Sequence, residues 1–418
     1  MPELLLLGLK MRVTGLPVHR FEGAQKSRVF AYRGELDAWH KSKDLNHSLD
    51  QPELGRSPIW KMAFLGLLLV LAGTVLFFGY RKMVSSREPA DFRVEGSALV
   101  ILNEKGGELW RFETGEQGLV DEKFYRDHYQ VKKNNSNDVT DLPYLIIRDI
   151  TGDGRAEVLF APKTGDEYRE GLLFCFDQRG RERWRFSLGR PIRFGSQDYA
   201  DFSVGGFVAD DLDGDGRGEV IVTSNAHRFF PAQLAVLGSD GKLRGEYWNS
   251  GQLRDIACDD LDNDGRKEII ASGQNNEYKK ACMIVFDAER VAGCSPQSVD
   301  RFISPGIPAG TQRAYLLFPR TDVSLSEFPS ETAGSIAVLS NDQIIVQMGF
   351  TSIIFVLGFD LVPRIARTSN AFEQLHKVAL REGSVTSVLD DAYFDALKRG
   401  ILFWTGTGWS DEGSGLNF

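Results

Sequence analysis

Short apolar runs alternate with polar, glycine-containing turns along most of the chain after residue 97. The clearest repeats are "SALVILNEKGGELWRFETG" at 97–115, "GLLFCFDQRGRERWRFSLG" at 171–189 and "AQLAVLGSDGKLRGEYWNSG" at 232–251. In each repeat an apolar run meets a polar turn, and a second run follows with an aromatic residue near its end. This pattern predicts β-hairpins. Weaker copies at 281–293 and 351–369 predict two more.

Acidic turns alternate with these hairpins. "RDITGDGRAEV" spans 148–158, "DDLDGDGRGEV" spans 210–220 and "DDLDNDGRKEI" spans 259–269. The flanking residues are rich in Val, Ile and Phe, so each turn is predicted to join two strands. The loops begin at 149, 211 and 260, which are 62 and then 49 residues apart, and a period near 50 is typical of propellers or repeat arrays. The stretch 389–404, "LDDAYFDALKRGILFW", is interpreted as a degenerate fourth loop that holds no metal.

Carboxylates this close together repel one another, and a bound hard cation would remove the repulsion. Calcium takes roughly 6–8 oxygen ligands from carboxylates, backbone carbonyls and water. In the second loop we expect the backbone carbonyl of Arg217 to add a ligand, and Gly216 to allow a sharp turn where a Cβ would collide. The alternative is that these are three acidic surface turns without a metal. The candidate calcium ligands are Asp149, Thr151, Asp153, Glu157, Asp211, Asp213, Asp215, Glu219, Asp260, Asp262, Asp264 and Glu268.

The loops differ from an EF-hand in their closing acid. An EF-hand loop carries Glu at position 12 and lies between two helices. Position 12 is Phe160, Val222 or Ala271 here, and the acid stands at position 9 instead. The motif therefore predicts a calcium site between two strands.

These loops resemble the FG-GAP or VCBS repeats of the integrin α-chain β-propeller. "FVADDLDGDGRGEVIVTS" at 207–224 matches that family's Asp-x-Asp-x-Asp-Gly-x-x-(Asp/Glu)-(Leu/Ile/Val) signature throughout, whereas Thr151 replaces the second acid of the first loop. The resemblance implies an all-β region over 88–418, a β-propeller of about 5–7 blades, with Ca²⁺ as its cofactor. It also implies a binding, adhesion or sensing module that presents its loops to a protein or glycan ligand.

An uncharged stretch of 19 residues, "MAFLGLLLVLAGTVLFFGY" at 62–80, stands before this region. As a helix it would be about 28 Å long, close to the thickness of a bilayer core. It is predicted to be a single transmembrane helix, the alternative being a buried core helix. The flanking charges are balanced, but weak calcium sites fill outside the cytosol. We therefore expect a single-pass membrane protein with a cytoplasmic N-terminus and an extracytoplasmic propeller.

The N-terminal segment, residues 1–61, carries a second resemblance. "LPVHRFEGAQKSRVFAYRGELDAWH" at 16–40 resembles the wing and closing helix of MerR/excisionase-type winged-helix domains, which occur ahead of bacterial membrane-anchored sensors. The resemblance implies DNA as a partner, but the preceding residues lack a convincing recognition helix. The alternative is a basic segment held by anionic lipid. The phosphate contacts implied for a wing are Arg20, Lys26, Arg28 and Arg33.

Composition limits the remaining functions. The net charge is −9, and residues 1–61 carry 10 Lys and Arg against 7 Asp and Glu, which leaves −12 for the rest. An acidic remainder argues against nonspecific nucleic-acid binding by that part. The four cysteines show no zinc-site spacing. Cys282 and Cys294 are interpreted either as a disulfide or as buried free thiols.

Two other functions stay open beside the binding module. One is a one-component transmembrane transcriptional regulator, with the propeller as sensor and the N-terminal wing as DNA reader. The other is a PQQ-like propeller enzyme, because the "LWRF" hairpins resemble blades of that class, although no catalytic carboxylate or cofactor-stacking Trp can be identified. The sequence has no nucleophile elbow, P-loop or HExxH motif. We predict that the protein is not an enzyme.

Overall fold

The structure is a computed structural model that describes residues 4–6, 19–20, 29–47, 64–74, 87–115, 118–128, 142–164, 171–226 and 229–412. The chain divides into two compact units, Met1–Tyr80 and Arg81–Phe418. The second unit consists mostly of β-strands. The predicted all-β class is therefore confirmed.

The described part of the first unit holds a small antiparallel sheet and two helices. Its strands are β1 Leu4–Leu6, β2 His19–Arg20 and β3 Val29–Tyr32, in the order β1-β3-β2. Helix α1, Arg33–His47, follows β3 directly, and residues 64–74 form helix α2. His19 Nε2 lies 2.8 Å from Glu35 Oε2, which ties β2 to the first turn of α1. Lys26 and Arg28, two of the implied phosphate contacts, lie outside the described residues.

The expected membrane helix over 62–80 is not found in the described residues, which in this stretch are the helical residues 64–74. In the part of the chain that the structure describes, no helix has the length and apolar character needed to cross a membrane. The prediction of a single-pass membrane protein with an extracytoplasmic propeller is wrong on this finding.

In its described ranges the second unit contains five sheets of three or more strands, I to V, which are mainly antiparallel and whose first strands follow one another along the chain. Sheet I contains β4 Asp91–Glu95, β5 Ala98–Leu102 and β6 Glu108–Glu113. Sheet II contains β7 Leu145–Arg148, β8 Glu157–Phe160, β9 Leu172–Phe176 and β10 Glu182–Ser187. A separate hairpin follows, with strands β11 Ile192–Phe194 and β12 Gln197–Tyr199.

Sheets III and IV each begin with strands that are consecutive in the chain and add strands from later parts of the chain at one edge, whereas sheet V has four consecutive strands. Sheet III contains β13 Phe202–Asp210, β14 Glu219–Ala226, β15 Ala232–Leu237, β16 Leu243–Asn249 and, at its edge, β20 Ala292–Cys294. Sheet IV contains β17 Leu253–Asp259, β18 Glu268–Asn275, β19 Lys280–Asp287, β21 Ala314–Leu317, β26 Leu402–Trp404 and β27 Trp409–Ser410. Sheet V contains β22 Ala333–Leu339, β23 Gln343–Met348, β24 Ile354–Gly358 and β25 Pro363–Arg367.

The cores lie between successive sheets because central strands are apolar on both faces. In β14, Val220 and Val222 belong to the core shared with sheets I and II, whereas Ile221 belongs to the core shared with sheet IV. Side chains alternate along a strand, so a continuous apolar run buries both faces. Strand β13 packs against β17, and β17 packs against β22. Within the described ranges, however, no closed ring of sheets is found.

Four of the five predicted hairpins are confirmed. They are β5–β6, β9–β10, β15–β16 and β24–β25. The hairpin predicted over 281–293 is wrong, because β19 pairs with β21 while β20 crosses to sheet III and pairs in parallel with β16. The interpretation of 389–404 as a degenerate loop is also wrong. Asp390 caps a helix there by accepting the Tyr393 N–H at 2.9 Å.

Over the residues of the second unit that the structure describes, four helices cover parts of the sheets, and each begins after a residue whose side chain accepts a backbone N–H of the first turn. They are α3 Glu122–Asp127, α4 Asp322–Glu327, α5 Asn370–Glu382 and α6 Asp391–Arg399. A 3₁₀ turn covers Asp300–Phe302. All four cysteines are free thiols, so Cys282 and Cys294 form no disulfide.

Candidate metal centre

The three acidic loops occupy equivalent places in three consecutive sheets. Each joins the first strand of its sheet to the second, between β7 and β8, between β13 and β14, and between β17 and β18. The strands on both sides are antiparallel partners, and the last residue of one pairs with the closing glutamate of the loop, as Asp210 does with Glu219. The strand pairs therefore hold both ends of each loop.

The first acid of each loop organises the backbone. Asp211 accepts the N–H of Gly214 through Oδ1 at 2.8 Å and the N–H of Gly216 through Oδ2 at 3.0 Å. Asp149 does the same with Gly152 and Gly154, at 2.8 and 2.7 Å. These bonds wrap the loop around the carboxylate, so its oxygens face the loop interior.

Two residues of each loop have left-handed backbone conformations. In the second loop φ is +75° at Gly214 and +83° at Gly216, and in the third loop it is +60° at Asn263 and +88° at Gly265. Glycine, and less readily Asn, adopts this region without the steric cost of a bulky Cβ. A Cβ on Gly216 would meet nothing within 4 Å. The expected collision there is wrong, and the positive φ is the reason for glycine.

Two of the loops bring three carboxylates together. Ligand oxygens of Asp211, Asp213 and Asp215 lie within 4.8 Å of one another, and so do those of Asp260, Asp262 and Glu268. A donor set made only of oxygen suits a hard cation. These acidic clusters could therefore bind a metal ion.

The remaining candidate ligands lie outside these two clusters. In the first loop Thr151 stands in the second ligand position and donates its hydroxyl to Glu157 at 3.4 Å, and Asp153 accepts the Arg155 N–H at 2.9 Å. In the third loop Asp264 accepts the Arg266 N–H at 2.8 Å. The first loop thus has the weakest set of donors for a cation.

The closing glutamates are buried, with exposed fractions of 0% for Glu157 and 3% for Glu219 and Glu268. One oxygen of Glu219 accepts the Leu212 N–H at 3.2 Å, and the equivalent bonds of the other two loops are present. Burial raises the pKa of all three carboxyls, while these backbone N–H groups and a neighbouring arginine oppose the rise.

An arginine that was not among the predicted site residues pairs with each closing glutamate. Arg183 Nη1 lies 2.6 Å from Glu157 Oε1, and Arg244 Nη1 lies 2.7 Å from Glu219 Oε1. Both arginines stand three residues after a hairpin-turn glycine, in "GRER" and "GKLR". An alignment of the predicted hairpins would have revealed these two.

The third loop has a different arrangement of its arginine. Arg313 precedes β21 and lies 3.2 Å from Glu268, and its Nη2 lies 2.7 Å from Oδ2 of Asp262, which is also a candidate ligand. The Arg313 side chain is only 17% exposed. A partly buried guanidinium beside two candidate ligands lowers the negative charge of this cluster.

Adjacent loops are joined by a repeated backbone hydrogen bond. Gly218 of the second loop donates its N–H to the carbonyl of Ile150 in the first at 2.8 Å. Lys267 of the third loop donates in the same way to Leu212 of the second at 2.9 Å. Lys267 Nζ also lies 2.6 Å from Asp210 Oδ2. The three loops therefore form one continuous row.

No protein-family model matches the sequence, and no curated protein matches it. A solved protein of unknown function from Bacteroides caccae is 13% identical, with a TM-score of 0.30 and coverage of 68% of this chain and 74% of that chain. Rhamnogalacturonan lyase YesW is 16% identical, with a TM-score of 0.32 and coverage of 64% of this chain and 50% of the lyase. The match thus spans half of the lyase. Likenesses this distant carry no inference about activity.

Proposed function

We propose that the second unit is a calcium-stabilised binding module of the FG-GAP/VCBS type, whose sheets stack as the blades of a β-propeller. The observation that carries the proposal is the cluster of Asp211, Asp213 and Asp215 in a loop whose geometry recurs in two neighbouring sheets. Carboxylates held this close in a preformed loop repel one another, and a cation would relieve that repulsion.

Calcium fits the donor set better than magnesium does. Calcium accepts 6–8 oxygens in a flexible arrangement, whereas magnesium demands near-ideal octahedral geometry and keeps several waters. The second loop would supply the three aspartates, and the Arg217 carbonyl would complete the protein ligands. The third loop would use Asp260, Asp262 and Glu268. The bound ion would supply positive charge alone, and the chain's own hydrogen bonds already shape the loops.

Repeated contacts between successive sheets support the blade-like stacking. Trp110 of sheet I donates its indole N–H to the carbonyl of Gln178 in the β9–β10 turn at 3.2 Å. Trp184 of sheet II donates in the same way to Ser239 in the β15–β16 turn at 3.0 Å. The backbone hydrogen bonds between neighbouring acidic loops are a second set of contacts that repeats from sheet to sheet. Repetition of one docking contact is typical of architectures built from similar units.

Within this proposal the loops position a surface that binds a protein or glycan ligand and performs no chemistry. Thermal unfolding of the full chain in millimolar calcium and in EGTA tests the metal requirement. Sites with dissociation constants of roughly 10⁻⁴–10⁻³ M would each add about 0.5–1.5 kcal/mol. Asp213→Asn should reduce the calcium-dependent rise in Tm, whereas Asp198→Asn, an exposed aspartate paired with Arg193 outside the loops, should leave it unchanged. Equal Tm values in calcium and EGTA would refute the proposal.

A further inference from the structure

A cavity of about 200 Å³ lies at the opposite ends of the strands that lead into the acidic loops. Its walls include Tyr144, just before β7, residues 203–205 of β13, and residues 252–254 at the start of β17. The acidic loops follow the other ends of the same three strands. The cavity is therefore a site separate from the candidate metal centre, formed by three successive sheets.

The charged side chains of the cavity wall are basic. Lys163 and Arg254 line it together with His128, and none of the lining residues that the structure describes is acidic. Over the described residues Lys163 makes no ion pair, and its Nζ lies 5.7 Å from the centre of the Tyr144 ring. Basic groups in a concave wall concentrate anions, even when the net charge of the chain is negative.

The oxygen of a buried amide in the cavity wall has no hydrogen-bond partner among the described residues. It is Oδ1 of Asn225, which lines the cavity and is 5% exposed. Buried polar atoms are nearly always paired, so an unpaired one calls for an explanation. Gly205 brings the backbone against this amide, since a Cβ there would lie 2.8 Å from Asn225 Nδ2. The amide is thus held in place beside the cavity, where its Oδ1 can accept a hydrogen bond from a ligand.

Aromatic rings complete the wall. Phe229 lines the cavity, is 56% exposed and has φ of +62°. A bulky residue is rarely held in the left-handed region, and such residues cluster at ligand clamps. The Tyr144 ring is anchored by its hydroxyl, which donates to the Val204 carbonyl at 3.1 Å. One ring is therefore fixed in the wall while the other stands exposed.

We propose that this cavity binds a small hydroxylated ring that carries an anionic group, a carboxylate or a phosphate. Lys163 attracts the anion, the Asn225 amide hydrogen-bonds to a hydroxyl, and Phe229 packs against the apolar face of the ring. The volume is below the roughly 300–1,000 Å³ of sites for drug-sized ligands, so the ligand is one sugar ring or smaller. The site does not depend on the proposed calcium binding.

Isothermal titration of the full chain tests this site with three probes that share one ring size. Glucuronate offers a carboxylate, glucose 6-phosphate offers a phosphate, and glucose is the uncharged control. We expect at least one anionic probe to bind at least tenfold more tightly than glucose. The stronger of the two identifies the anion that the site prefers. Failure of both anionic probes to bind more tightly than glucose would overturn the proposal.

Variants separate the cavity from nonspecific attraction. Lys163→Gln and Asn225→Asp should each weaken the preferred anionic probe at least tenfold, the first by removing a positive charge and the second by adding a negative one at nearly constant size. Lys242→Gln, at an 83% exposed lysine outside the cavity, should leave binding unchanged. Urea unfolding of each variant, run in parallel, checks that the fold is kept. Unchanged binding in a folded Lys163→Gln or Asn225→Asp variant would contradict the assignment of the cavity.

Discussion

The indole ring of Trp184 lies where a side chain on Gly241 would stand. A Cβ on Gly241 would come within 2.5 Å of the ring, and φ at this glycine is +77°. Trp110 and Gly180 show the same relationship one sheet earlier. A turn glycine thus serves two purposes. It allows the left-handed turn, and its lack of a side chain leaves space for the tryptophan ring of the preceding sheet.

Gly241→Ala should therefore cost more stability than the turn conformation alone explains. The left-handed conformation costs an alanine about 1–2 kcal/mol, and displacement of the indole should add about 1–3 kcal/mol. Gly106→Ala is the matched control, since Gly106 holds the equivalent place in the β5–β6 turn with φ of +75° and nothing within 4 Å of an added Cβ. Urea unfolding measures both variants. Equal losses would show that the tryptophan contact contributes little.

Local features of the fold were predictable from the sequence. The hairpins and the strand–loop–strand turns depend on neighbouring residues, such as the apolar run of Val220, Ile221 and Val222 and the Asp-Gly turn that contains Gly216. Such patterns are visible in one short stretch of chain, so their prediction needed no knowledge of the tertiary structure.

Long-range features were not predictable in this way. Gly245 has the same position in the β15–β16 hairpin as Trp184 has in the β9–β10 hairpin of the previous sheet. A Cβ on Gly245 would lie 2.7 Å from the Val291 carbonyl. That contact lets β20 cross to sheet III, but the two residues are 46 positions apart. Arg313 likewise reaches Asp262 from 51 positions away. Only the folded chain brings such pairs together.

The pH dependence of stability should reflect the buried glutamates. Burial raises the pKa of Glu219 above its ordinary value of 4.5. A raised pKa means that this carboxyl binds protons more tightly in the folded state than in the unfolded state. Its contribution to the free energy of unfolding is therefore most favourable at low pH and becomes less favourable as the pH rises through the raised pKa. Glu219→Gln removes this dependence and keeps an oxygen for the Leu212 N–H.

Unfolding in EGTA at pH 4.5 and at neutral pH tests this expectation. The stability of Glu219→Gln relative to the wild type should be higher at neutral pH than at pH 4.5. Glu327→Gln, at an exposed residue far from the loops in sequence, should show no such change. A relative stability of Glu219→Gln that falls as the pH rises would contradict the assigned sign.

Arg313→Gln should make the stability of the protein more dependent on calcium bound at the third loop. The guanidinium compensates the charge of Asp262 and Glu268, and its removal leaves a largely buried carboxylate without its partner. We expect a loss of up to about 3 kcal/mol in EGTA and a larger calcium-induced rise in stability than in the wild type. Arg290→Gln is the control, because Arg290 is 72% exposed and lies 3.9 Å from Asp287. If calcium stabilises Arg313→Gln and the wild type equally, Arg313 does not compensate the charge of this cluster.

Direct titration of calcium into the full chain tests the proposed calcium binding by the second and third loops. We expect saturable binding with dissociation constants of roughly 10⁻⁴–10⁻³ M. The double variant Asp213→Asn/Asp262→Asn should lose this binding while it remains folded. Absence of saturable binding in the wild type, or undiminished binding in the folded double variant, would contradict the claim.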